Sequence, residues 1–74
     1  MSVTLKLFAY FRENRGETLT FNFEKGMRAT DLCQKIKLDP QEVSVLLING
    51  VYTKDNPTLQ DGDLVCFFPA VGGG

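Results

Sequence analysis

Few side chains in this sequence can do covalent chemistry. Among 74 residues there is no histidine, and the two cysteines, Cys33 and Cys66, are far apart. The usual general base near neutral pH is therefore missing, as is the commonest metal ligand. A Ser-His or Cys-His nucleophile pair cannot be assembled from this chain alone. Asp61 and Asp63 bracket Gly62, but two carboxylates at a turn fall short of a calcium site and suit the turn itself. What remains is the ending, Ala70-Val71-Gly72-Gly73-Gly74. A terminal carboxylate with a pKa near ~3.5 is ionised and is a poor electrophile. It becomes reactive only when one oxygen is turned into a leaving group.

Adenylation with ATP would do this, inside an enzyme that encloses the end of another protein in a narrow channel. Glycine suits such a channel because it lacks Cβ and accepts positive φ. Five residues past Pro69 reach at most ~17 Å when extended, enough to enter a buried site while the body stays outside. Glycine-rich ends are also often merely frayed. Here, however, the run follows an apolar strand and a proline directly, so it leaves a rigid body at a defined point. With Gly74 last in the sequence, no processing step is expected.

The elements that must position this ending are legible in the pattern. Val3, Leu5 and Leu7 alternate with Thr4, Lys6 and Phe8, predicting a strand over residues 3–11. Leu19, Phe21 and Phe23 alternate with Thr18, Thr20 and Asn22, predicting a second strand paired antiparallel with the first. The period then changes. Thr30 and Asp31 are helix-starting residues, and Leu32, Cys33 and Ile36 share one helical stripe. Asp39-Pro40 stops that helix, and Asp39-Pro40-Gln41-Glu42 predicts one short capped turn.

Residues 45–49 form a continuous apolar run ending in Asn49-Gly50, a strong hairpin signal, with Val51-Tyr52 as the edge return. Leu59 is a lone apolar anchor. Residues 64–68 form the last strand, and Pro69 ends it. The order β-β-α-β-(β)-β favours an α+β β-grasp domain over residues 1–69, a mixed four- to five-stranded sheet on one main helix. Residues 70–74 form the tail. Strand parity places Val65 and Phe67 inward and Leu64, Cys66 and Phe68 outward. Phe8 and Phe68 then share an exposed apolar patch beside Pro69, and these three residues are the expected docking surface. Cys33 is expected in the core and Cys66 to be partly exposed.

Composition excludes several classes. The chain is 43% hydrophobic and 23% charged, ordinary for a folded domain. Its net charge is -1 with no basic block, which argues against nucleic-acid binding. No apolar run approaches the ~20 residues of a membrane span. No export signal is evident, and the expected location is cytoplasmic. Asn56-Pro57-Thr58 is not a glycosylation site, because proline occupies its middle position.

The segment 62–74, Gly-Asp-Leu-Val-Cys-Phe-Phe-Pro-Ala-Val-Gly-Gly-Gly, resembles the ending of the molybdopterin synthase small subunit family. Leu-Phe-Ala-Tyr-Phe-Arg-Glu at 7–13 resembles that family's first strand, and Ile48-Asn49-Gly50 its central hairpin. Gly72 departs from the pattern, where a residue with a side chain often precedes the diglycine. The resemblance implies a ubiquitin-like sulfur carrier that binds no cofactor and has its catalytic residues on its partners. An activating enzyme of the ubiquitin type would use ATP and magnesium to adenylate Gly74, and a sulfur donor would convert it to a thiocarboxylate. Ala70, Val71, Gly72 and Gly73 would thread into the synthase large subunit. The thiazole-biosynthesis sulfur carriers are similar at the tail. A ubiquitin-like modifier joined to lysines through Gly74 fits the same ending, as does a plain binding module whose glycines do nothing.

Overall fold

Strand alternation builds the first hairpin of the computed structural model, which describes residues 1–70. β1 is Ser2–Leu7 and β2 is Thr18–Asn22. Val3, Leu5 and Leu7 all point to one face and are fully buried. The antiparallel register sets Val3 opposite Phe21 and Leu5 opposite Leu19, so the half-buried side chains of β2 cover the same face.

The first strand is shorter than the alternation predicts. It stops at Leu7, the backbone turns at Ala9 with φ 55°, and Ala9–Arg12 forms a 3-10 turn. Arg12 explains the interruption: its Nε donates to the Leu7 carbonyl at 2.7 Å, while the Phe11 N–H donates to the Phe8 carbonyl at 3.2 Å. The turn drops Phe11 into the core, where it is 0% exposed. Phe11→Ala is expected to cost about 3–5 kcal/mol through lost burial and the cavity left behind. A chain of this length has only about 4–11 kcal/mol in total. Urea unfolding should show a large fall in midpoint at nearly constant slope.

The helix α1, Ala29–Lys35, begins just before the expected pair. Arg28 is its N-cap residue, and the Arg28 N–H donates to Asp31 Oδ2 at 2.7 Å. Asp31 is thus the reaching-back half of a capping box rather than the cap. Leu32 and Cys33 are buried against the sheet and Ile36 is half-buried. At the other end, Arg15 donates to the carbonyls of Phe11, Ile36 and Lys37 at 3.0–3.3 Å. It satisfies groups that a helix C-terminus leaves open. The turn Pro40–Glu42 is capped as expected, with Asp39 Oδ1 accepting from the Gln41 N–H at 2.9 Å.

β3 is Val43–Ile48, β4 is Val51–Tyr52 and β5 is Leu64–Pro69. Asn49 and Gly50 both have positive φ, 53° and 81°, which the tight hairpin between β3 and β4 requires. The five strands run β2-β1-β5-β3-β4. β1 and β5 are parallel neighbours at the centre, and the other pairs are antiparallel. One helix covers one face. This is the β-grasp arrangement expected from the element order. Its core joins Val3, Leu5, Leu7, Phe11, Leu32, Val65 and Phe67, with Leu59 buried as the expected anchor. No helix among the described residues is long and apolar enough to cross a membrane.

Candidate functional site

The face of the sheet away from α1 carries the candidate site. β1 and β5 run parallel with Leu7 beside Phe67, so the next residues, Phe8 and Phe68, meet on the opposite face. Their rings stack with centroids 4.1 Å apart and planes 10° from parallel. Both are half-buried and keep surface exposed. The Arg12 guanidinium carbon lies 5.2 Å from the Phe8 centroid, and Arg12 Nη1 pairs with Glu17 Oε1 at 3.3 Å. Arg12 therefore closes the turn after β1 and also holds the aromatic pair from one side.

The patch continues across the sheet. Val45 is opposite Phe68 and Leu47 is opposite Cys66 on β3, while Lys6 is beside Cys66 on β1. Val45, Leu47, Leu64 and Phe68 are half-buried, so each keeps surface open on this face. Parity in a continuous apolar run cannot be read from sequence, so Val45 and Leu47 emerge only from the register. Arg12 could have been suspected from its place four residues after Phe8.

The inward and outward assignments of β5 agree with the register: Val65 and Phe67 are buried beside Leu5 and Leu7. Two expectations need correction. Pro69 is the last residue of β5, pairs with Val43, and is buried, so it contributes no accessible docking surface. Its place is at the strand end, where no ladder donor is needed. Cys66 does face away from the helix, but it is only 8% exposed, because its short side chain sits between longer neighbours on both adjacent strands.

Burial pushes the Cys66 thiol up, and the Lys6 charge acts in the opposite direction without cancelling it. Burial, aided by Asp39, raises the Cys33 thiol from 9.0 to about 11. Neither offers a thiolate near neutral pH, so neither is poised as a nucleophile. Cys33 links to stability with a definite sign. Its folded pKa lies above the unfolded value, so the native state holds the proton longer. The contribution is fully present below pH 9 and is lost as pH rises through 11. In urea titrations between pH 8 and pH 11, wild type should lose about 2 kcal/mol more than Cys33→Ala.

Asp61 and Asp63 are occupied as turn residues. Asp61 Oδ1 accepts from the Ser2 N–H at 2.9 Å. Asp63 accepts from the Gln60 N–H and from Asn49 Nδ2, both at 2.8 Å. Asn49 Oδ1 in turn accepts from the Leu64 N–H at 2.9 Å, which ties the β3–β4 hairpin to the start of β5. Ala70 is exposed and follows β5 directly. Val71, Gly72, Gly73 and Gly74 lie outside the described residues.

The ThiS family model matches residues 5–74. A search of curated proteins returns no significant match. A structure described as molybdopterin converting factor subunit 1 from Pyrococcus furiosus aligns with TM-score 0.72 and 29% identity, over 96% of this chain and 99% of that one. SAMP1 from Haloferax volcanii aligns with TM-score 0.77 and 24% identity over all of both chains. A chain in the complex of subunits 1 and 2 of the molybdopterin-converting factor from Helicobacter pylori aligns with TM-score 0.68 and 21% identity, again over all of both. The last two are likenesses of fold.

Proposed function

Because the chain belongs to the ThiS family of ubiquitin-like sulfur carriers, we propose that its working group is the carboxylate of Gly74 and that it serves as the small subunit of a molybdopterin synthase. The carboxylate oxygen attacks the α-phosphorus of ATP on an activating enzyme that uses magnesium, and pyrophosphate leaves. A nucleophilic sulfur delivered by a donor then displaces AMP, leaving a thiocarboxylate. The tail, from Ala70 to Gly74, next enters the synthase large subunit and delivers sulfur to a pterin precursor.

The observation that carries this reading is the exposed Phe8–Phe68 stack beside the point where the chain leaves β5. Four residues beyond Ala70 extend at most ~14 Å, so a partner gripping the stack would have Gly74 within a short channel's depth. With no histidine in the chain, proton transfers fall to the partners. The molybdopterin branch is supported by the opening and closing segments and by the 29% identity to the Pyrococcus furiosus protein.

The test is the intact mass of the full chain after incubation with ATP, magnesium, a sulfur source and a ubiquitin-type activating enzyme. Replacement of one oxygen by one sulfur is expected. An unchanged mass with several such enzymes would sink the reading. Adding the synthase large subunit and a pterin precursor then tests the acceptor, since sulfur should leave Gly74 only if that branch is right.

A further inference from the structure

The two edges of the sheet are treated differently. β4 closes one edge with only two residues, Val51–Tyr52, which limits strand pairing there. β2 closes the other with five, Thr-Leu-Thr-Phe-Asn, and has no charge, no proline and no break in register. Edge strands are normally blunted by one of those devices.

The alternation of bonds shows what this edge offers. The Leu7 N–H donates to the Glu17 carbonyl, and the Phe23 N–H donates to the Met1 carbonyl. The odd-numbered residues of β2 therefore face β1, and the N–H and C=O groups of Thr18, Thr20 and Asn22 point outward. None of these has a hydrogen-bond partner among the described residues. On the helix side, a groove between β2 and the end of α1 is lined by the apolar Leu19, Phe21 and Ile36 together with Asn14, Arg15, Lys35 and Lys37, and by no carboxylate among the described residues. Lys35 Nζ lies 6.0 Å from the Phe21 centroid. The one ion pair among the described residues is Arg12–Glu17, so Lys35 and Lys37 are not neutralised by the fold.

We infer that the β2 edge is a second docking site, which takes an extended peptide segment of a partner as a sixth strand, with apolar residues in the groove and acidic residues beside Lys35 and Lys37. Main-chain bonds to Thr18, Thr20 and Asn22 supply the pairing, and the alternate side chains supply the selection. Charge selects this occupant over a second copy. Antiparallel self-pairing through β2 would put both helices on one side of the joined sheet and so gather four like-charged lysines on that side. The site is on a different edge from the Phe8–Phe68 patch and does not depend on sulfur at Gly74.

The experiment is amide chemical-shift mapping on the isotope-labelled full chain. The probe is the synthetic peptide Asp-Asp-Val-Thr-Val-Thr-Val-Asp-Asp, and the control replaces its aspartates with lysines. Shifts should cluster at Thr18, Thr20, Asn22, Lys35 and Lys37. Binding should be about tenfold weaker with the control peptide and with the double variant Lys35→Glu/Lys37→Glu. Thr20→Pro should abolish pairing without touching the β1 ladder, because the N–H it removes points outward. Equal binding of both peptides, shifts confined to Phe8 and Phe68, or no shifts up to the solubility limit would overturn the inference. Concentration-dependent shifts at the same amides without peptide would also overturn it, by making a second copy the occupant.

Discussion

Removal of Gly73 and Gly74 is expected to abolish thiocarboxylate formation while leaving the fold intact. Among the described residues, every strand pairing and backbone hydrogen bond lies at or before Pro69. The truncated chain should therefore unfold in urea within about 0.5 kcal/mol of wild type, as substitutions remote from any packed feature do. Affinity for the activating enzyme should fall little, since Phe8 and Phe68 remain. The loss would appear as an absence of any sulfur-for-oxygen mass change. Gly73→Val refines the point. In the proposed activation, a β-branched side chain one residue from the carboxylate would obstruct a channel shaped for bare backbone and displace the carbonyl from attack geometry. A misplacement of that order costs about a hundredfold in rate. Activation should slow at least that much at saturating enzyme. Normal activation of the truncated chain would place the reactive group elsewhere and remove the basis for the carrier reading.

The fold was legible where pattern and local chemistry agree. Val3, Leu5 and Leu7 against Leu19, Phe21 and Phe23 define a hairpin by alternation alone, and Asn49-Gly50 defines another by its demand for positive φ. The 3-10 turn at Ala9–Arg12 was not legible, because Tyr10 and Phe11 are strand formers. What ends β1 is the non-local fit of Phe11 in the core, with Arg12 reaching back to Leu7. Cys66 shows another limit. Parity gives its face, but its burial depends on neighbours from two other strands. The stacked aromatic pair was legible only conditionally, since Phe8 and Phe68 touch only if β1 and β5 are adjacent and parallel. That adjacency joins the two ends of the chain and leaves no local signal. The chemistry of the tail rests on residue type alone, and Gly72, Gly73 and Gly74 lie outside the described residues.

Phe68→Ala is expected to weaken binding of the partner that grips the open sheet face by about 30- to 1,000-fold, with little loss of stability. Both numbers follow from where the ring sits. It is half-buried, so truncation sacrifices part of its area and a stack of about 0.5–1.5 kcal/mol, not a fully enclosed core side chain. In the proposed docking, the same ring would be the centre of a desolvated patch, where truncation of an aromatic anchor costs about 2–4 kcal/mol. Phe8→Ala should behave similarly. The double variant should lose less than the sum of the two, because each ring holds the other in place and the pair binds as a unit. Calorimetric titration of each variant with the activating enzyme and with a synthase large subunit measures the binding term. Urea midpoints measure the folding term on the same samples. Wild-type affinity in both single variants would exclude the open face as the docking surface. Strict additivity would keep the face but deny that the stack is its organising element, because independent contacts do not require the rings to be 4.1 Å apart.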